Sequence, residues 1–248
     1  MGYHIEKAAV IGSGTMGSGI AALLAGVGVQ TLLLDIPAKD TSPGDPPHKR
    51  NAIVSNNIRT MQKSRPAQLF SEADLALISA GNIEDDLERL ADVDWVIEVV
   101  VERLDIKQDL MKKLAAVVKP SAIISTNTSG LPIEQIAEHM DADFTRRFLG
   151  THFFNPPRYL RLLEVIPHPN TDPDVIAFMM DFGAKVLGNI RIASGSKIGA
   201  GAIVIKDTTE GSTSVGTPAR MIEKRPVAVA VIQETHGEVR NIYNDMVI

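Results

Sequence analysis

The sequence contains no cysteine, so disulfides, thiolate catalysis and cysteine-ligated metal centres are excluded, and no metal site is expected. It has no surplus of basic residues either: the formal net charge is −5 over 248 residues. Nucleic-acid binding and binding to an anionic membrane, both of which need a basic face, are therefore not expected. No apolar run approaches the roughly 20 residues of a membrane span. The opening Met1-Gly2-Tyr3-His4-Ile5-Glu6 lacks the basic and apolar regions of a signal peptide. Gly2 does not make a lipidation signal, because Glu6 stands where that motif wants Ser or Thr. A cytoplasmic location is the expectation. What is present is 44% hydrophobic and 22% charged residues, the balance of an ordinary globular protein.

Strand-like and helix-like segments alternate along the first three quarters of the chain. Lys7–Ile11 is a short apolar run, and residues 15–28 follow with Ile20, Leu23, Leu24 and Val27 on one helical face. Thr31–Leu34 predicts a second strand, and the prolines from Pro37 to Pro47 predict a loop as far as Arg50. Helices are predicted over 51–64 and 71–80, the second capped by Ser71. Trp95–Val101 reads as a buried parallel strand interrupted by Glu98, and residues 105–118 as an amphipathic helix. Ala122–Ser125 is a further strand, followed by a helix opening near Pro132. Phe148–Phe154 and Leu160–Ile166 read as strands, and 173–187 as a helix. The alternation predicts an α/β fold of Rossmann type, a mostly parallel sheet with helices on both faces.

Gly12-Ser13-Gly14-Thr15-Met16-Gly17 places a G-x-G-x-x-G between the first strand and the first helix. The first glycine permits the tight turn, the second lets backbone approach a pyrophosphate, and the third lets helix pack on strand. The helix N-terminus adds unpaired N–H groups and a positive dipole end for phosphate. Alone, the glycines also suit simple helix packing. Asp35 ends the next strand about twenty residues later, where a carboxylate can accept from both ribose hydroxyls. It would repel a 2′-phosphate, and no arginine follows closely. NAD is the expected cofactor, in preference to NADP.

A second constellation lies in Thr151-His152-Phe153-Phe154-Asn155 and Leu162-Leu163-Glu164-Val165-Ile166. An imidazole among aromatics and an acid within an apolar strand are both costly to bury alone. Pairing them removes the cost and makes a general base near neutral pH, with Glu164 fixing the tautomer of His152. The plain alternative is a histidine in a loop and a glutamate at a strand edge.

Residues 6–187 resemble the NAD-binding domain of 3-hydroxyacyl-CoA dehydrogenases. The resemblance is carried by Val10 to Ala21, Ala91 to Glu98, Glu102 to Gln108, Ser125 to Ser129 and His152 to Glu164. The family's His/Glu dyad is twelve positions apart, as are residues 152 and 164. The resemblance implies that His152 takes the proton of the substrate 3-hydroxyl, that Glu164 orients it, and that Ser129 holds the reacting oxygen beside the nicotinamide. It further implies cofactor contacts by Glu102, Lys107 and Asn155, and an acyl-CoA substrate. Taken by themselves, those three residues suit a helix-terminal carboxylate, a solvated lysine and a turn asparagine. The family's later segment, with a catalytic asparagine and a helical domain that closes over the acyl-CoA and makes the dimer, has no counterpart in the text after residue 187. Weak turnover, or a non-catalytic NAD-binding module, is the corresponding expectation.

From Gly188 the pattern changes: Val186, Ile192, Ile198 and Val204 recur every six positions. Gly188 to Ala202 and Gly211 to Arg220 resemble the C-terminal left-handed β-helix of serine acetyltransferases. The expectation is a chimera: an NAD-binding domain over 1–187, a hexapeptide β-helix fragment over 188–225 and a polar tail over 226–248. An acyltransferase fragment is the alternative function, a homo-oligomer the expected assembly. The resemblance also implies a contact of Ile248 with O-acetylserine sulfhydrylase.

Overall fold

The computed structural model describes residues 3–160 and 162–188, with short stretches at 197–198, 209, 211–215 and 220–222. Its centre is β1 (Lys7–Ile11), a strand of small and branched residues buried from Ala8 onward. Such a strand has no polar face, and it is covered on both sides. Ala8 and Val10 join one apolar cluster with Leu23, Leu24 and Trp95. Ala9 and Ile11 join the other with Val96, Leu114 and Phe148. Successive side chains leave a strand on opposite faces, so the four residues Ala8 to Ile11 supply both cores.

Around β1 stand β2 (Gln30–Asp35), β3 (Ile78–Asn82), β4 (Trp95–Glu98), β5 (Ile123–Thr126), β6 (Phe148–Phe153) and β7 (Leu163–Pro167), in the order β3-β2-β1-β4-β5-β6-β7. The first six strands are parallel, and β7 runs antiparallel to β6. On one face lie α1 (Thr15–Gly26), α3 (Ala52–Gln62) and α7 (Pro173–Gly188), which contribute Ile20, Val54 and Met179 to the first cluster. On the other, α4 (Leu104–Val117), α5 (Ile133–Ile136) and α6 (Ala142–Thr145) supply Met111, Ile136 and Phe144. The predicted Rossmann-type sheet is what the chain forms, and the loop after β2 contains only the single turn α2 (Pro47–Arg50).

Two local expectations are corrected. Residues 71–80 are not one helix: a 3-10 segment spans Glu72–Leu77, and Ile78 turns into β3. Ser71 still caps it, accepting from the Ala73 N–H at 3.2 Å while Asp74 accepts the Ser71 N–H at 2.8 Å. The free edge of β2 recruits the next five residues as a strand, and tertiary pairing overrides local periodicity there. The second strand of the His/Glu pair also begins later than expected, at Leu163.

Asp94 ties down the opposite end of the sheet from the glycine turn. Its carboxylate accepts the N–H groups of Glu6 at 2.9 Å and Lys7 at 3.0 Å, and the Lys119 ammonium at 2.7 Å. Burial pushes this carboxyl up, but the lysine and the two N–H groups hold it below the ordinary aspartate value.

Beyond α7, β8 (Lys197–Ile198) pairs in parallel with β9 (Thr213–Val215), and β10 (Arg220–Ile222) pairs antiparallel to β9. Ile192 and Val204 of the expected hexapeptide column, and Ile248 of the tail, lie outside the described residues. Among the described residues, no helix is long and apolar enough to cross a membrane.

Candidate functional site

The strand order reverses between β1 and β4, and the chains leaving those strands diverge to opposite faces. Such a switch point opens a crevice at the carboxyl ends of a parallel sheet. A cavity of about 490 Å³ lies there, walled by the turn after β1, the segment after β4, the loop after β5 and the end of β6.

The glycine turn is shaped by contact. Gly12 has φ +105°, and a Cβ on it would lie 2.4 Å from the Val99 carbonyl oxygen. A Cβ on Gly17 would lie 1.7 Å from the Gly12 carbonyl oxygen, so only glycine lets α1 start this close to β1. Gly14 differs, because nothing lies within 4 Å of where its Cβ would stand. Its open side belongs to the cavity, together with Thr15, Met16 and Gly17. No side chain caps α1, and no acid stands in its first turn. The N-terminal N–H groups are thus available to an anion, and the cradle fits the pyrophosphate of a dinucleotide.

Asp35 and Ser13 form a unit behind that cradle. Ser13 is fully buried, and both its N–H (2.7 Å) and its hydroxyl donate to one carboxylate oxygen of Asp35. The other oxygen accepts the Ile36 N–H at 2.8 Å and retains capacity for a further donor. Asn57 of α3, which no sequence signal marked, donates to the Ser13 hydroxyl at 2.8 Å. Asp35 is therefore the anchor of the glycine turn.

At the other end of the cavity, Glu102, Ser129, His152 and Asn155 share the wall. Glu102 accepts the Thr128 hydroxyl at 2.7 Å and the Ser129 N–H at 3.0 Å, leaving the Ser129 hydroxyl for another partner. Lys107, expected at the cofactor, is buried instead: its ammonium lies 2.7 Å from Glu98 and 3.9 Å from Glu102, with 1% of the side chain exposed. Asn127 is a wall residue that the sequence reading left without a role. Its side-chain oxygen accepts the Phe153 N–H at 2.8 Å, fixing the strand end that carries His152.

His152 and Glu164 face each other in the β6–β7 register, with Nδ1 2.8 Å from a carboxylate oxygen. Burial does not force this pairing, contrary to the sequence argument, because half of the Glu164 side chain is exposed. The antiparallel register brings the two together. The His152 ring also packs on Phe154, with centroids 4.5 Å apart. With Nδ1–H donated to Glu164, the lone pair falls on Nε2, and the imidazole is set up to accept a proton there.

The chain is similar to known proteins over most of its length. The sequence model of the family described as "3-hydroxyacyl-CoA dehydrogenase, NAD binding domain" matches residues 7–196, past the expected domain end at residue 187. A Bacillus subtilis protein named "Probable 3-hydroxyacyl-CoA dehydrogenase" is 44% identical over 216 residues, covering 84% of this chain and 26% of its own length. A protein of the same name from Deinococcus radiodurans is 49% identical over 184 residues, covering 74% of this chain and 51% of its own. The crystal structure of 3-hydroxybutyryl-CoA dehydrogenase from Escherichia coli K12 superposes with a TM-score of 0.61 at 32% identity, over 74% of this chain and 37% of that one. The chain thus spans about a quarter of the Bacillus subtilis relative and about half of the Deinococcus radiodurans one. A fold that opens a dinucleotide crevice at its switch point, and a family match over most of its length, lead to one conclusion: this chain belongs to the NAD-binding domain family of 3-hydroxyacyl-CoA dehydrogenases.

Proposed function

We propose that this chain binds NAD and supplies the proton-handling dyad for oxidation of a 3-hydroxyacyl-CoA to the 3-oxoacyl-CoA. The observation that carries the reading is the His152–Glu164 pair, 2.8 Å apart, with His152 in the wall of the cavity that the glycine turn opens. NAD, when bound, supplies the hydride acceptor. Gly14 to Gly17 and the N-terminus of α1 would hold its pyrophosphate, and Asp35 its adenosine ribose. Glu102 and Asn155 line the cavity where the nicotinamide end would lie.

His152 then accepts the 3-hydroxyl proton at Nε2 as the alcohol is oxidised. Glu164 keeps Nδ1 protonated and stabilises the imidazolium that forms. The hydroxyl of Ser129, a residue of the cavity wall whose N–H is held by Glu102, would donate to the reacting oxygen. The acyl-CoA substrate class rests on the family, whose relatives also include a Rickettsia felis protein named "Putative fatty acid oxidation complex trifunctional enzyme". No observation among the described residues favours serine acetyltransfer, and the family match continues to residue 196, over the first hexapeptides.

The test combines an NADH titration by nicotinamide fluorescence with NADH formation from 3-hydroxybutyryl-CoA. Binding with turnover that depends on His152 supports the reading. Binding without turnover reduces the chain to a cofactor-binding module, and absence of binding removes the function altogether.

A further inference from the structure

Directly behind the cavity wall formed by Val99 to Glu102 lies a buried acid to which the proposed chemistry gives no task. Glu98 ends β4 with 0% exposure. One carboxylate oxygen accepts the Lys107 ammonium at 2.7 Å and the Val100 N–H at 2.7 Å. The other accepts the Thr126 hydroxyl at 2.6 Å, and the Glu98 carbonyl accepts the Asn127 N–H at 2.8 Å. Lys107 is as buried as its partner, and its next anion is Glu102, at 3.9 Å.

We infer that Glu98 is a positioning residue for the nicotinamide end of the site, acting on the loop 126–129 from both sides; this rests on the NAD-binding reading above. Directly, its carboxylate holds the start of the loop through the Thr126 hydroxyl, next to the point where the backbone carbonyl of the same residue accepts the Asn127 N–H. Indirectly, it keeps the ammonium of Lys107 away from Glu102, whose two oxygens are then left to Thr128 and Ser129. The loop so fixed also reaches the dyad, since Asn127 accepts the N–H of Phe153, next to His152. One buried acid therefore sets the relative placement of Glu102, Ser129 and His152.

A purely structural clamp between β4 and α4 is the competing account. A buried ion pair is a poor choice for stability alone, because desolvation cancels most of the attraction and apolar residues of similar volume do as well. The direction of the bonds also separates the two accounts. Besides its lysine, Glu98 bonds the 126–127 segment and the Val100 N–H, so only part of its capacity serves α4.

The experiment compares the full chain with E98Q, E98D and T126V by amide hydrogen exchange and NADH fluorescence titration. In E98Q the neutral amide no longer satisfies Lys107, which turns to Glu102 and competes with Thr128 and Ser129. Exchange at the Asn127 and Ser129 amides should accelerate and NADH affinity should fall, each by about tenfold, while Val10 and Ile124 stay protected. T126V removes only the hydroxyl link and should loosen the same two amides; it decides the matter if E98Q does not fold. E98D keeps the charge for Lys107 and should recover most of both losses. Unchanged Asn127 and Ser129 amides in the folded variants, or a loss spread equally over β1 and β5, would overturn the proposal. If the unmodified chain bound no NADH, the functional reading would fall, while the exchange measurements would still decide the role of Glu98.

Discussion

His152 Nδ1 and the Glu164 carboxylate meet at 2.8 Å because the two residues are direct partners across β6 and β7. Among the described residues, the only antiparallel pair in the large sheet is thus the one that makes the dyad. A parallel crossover would have needed a helix between the two strands, and twelve residues could not have supplied one together with the strand ends. The order and length of the chain at this point are part of the chemistry.

Replacement of His152 by Asn should lower the rate of any 3-hydroxyacyl-CoA oxidation by about 10²- to 10⁴-fold, the usual contribution of a general base. NADH affinity should stay within a few-fold, since the imidazole does not bond the glycine turn. Glu164→Gln should give a smaller loss in kcat, because the acid acts only through the ring. An unchanged rate in H152N would remove the dyad from the mechanism.

The glycine turn allows a sharper separation of folding from binding. Gly14→Ala places a methyl in open cavity and should leave the thermal midpoint unchanged while weakening NADH severely. Gly17→Ala drives a methyl against the Gly12 carbonyl and should destabilise the fold itself. Equal NADH affinity in G14A and the unmodified chain would show that the cofactor does not approach this backbone.

NADH should bind more tightly than NADPH by at least about tenfold, equivalent to about 1.4 kcal/mol, because the Asp35 carboxylate repels a 2′-phosphate. Asp35→Asn retains an oxygen for the Ser13 N–H and should narrow the preference with little loss of order in the turn. Asp35→Ala removes the anchor as well, so it should weaken both cofactors. Fluorescence titrations of the three proteins with each cofactor would measure this, and equal affinity in the unmodified chain would contradict it.

Asp94 should make the fold sensitive to acid. Its folded-state pKa lies below the unfolded value, so its contribution is present above the unfolded pKa of about 3.9 and lost as pH falls through the folded value. Asp94→Asn should cost about 1–3 kcal/mol at neutral pH by leaving Lys119 and two backbone donors poorly matched. The gap between variant and parent should narrow as pH falls below the unfolded value in denaturant titrations. A gap that stays constant with pH would place the effect elsewhere.

Composition and periodicity were enough to indicate the parallel sheet and helices on both faces, because a doubly covered stretch such as residues 8–11 must be apolar throughout. The glycine turn was equally legible: Gly17 is constrained by the Gly12 carbonyl within one strand–turn–helix unit and Gly12 by its own positive φ, and a local constraint leaves a local trace, while the contact of Gly12 with Val99 belongs to the tertiary structure. Six strands were visible and β3 was not, since Ile78–Asn82 becomes a strand only through the vacant edge of β2, and that edge exists only in three dimensions. The dyad was found by its residue types and spacing, yet the burial argument for it failed, because exposure depends on what covers a strand rather than on the strand's own composition. Lys107 shows the same limit. From sequence it was a cofactor contact or a solvated lysine, and only packing of α4 on β4 decided that it is a buried counter-ion between two glutamates. Sequence by itself determined which groups the chain brings to the crevice; the tertiary structure decided which of them face the open space and which hold the others in place, because that depends on pairings between segments far apart in the chain.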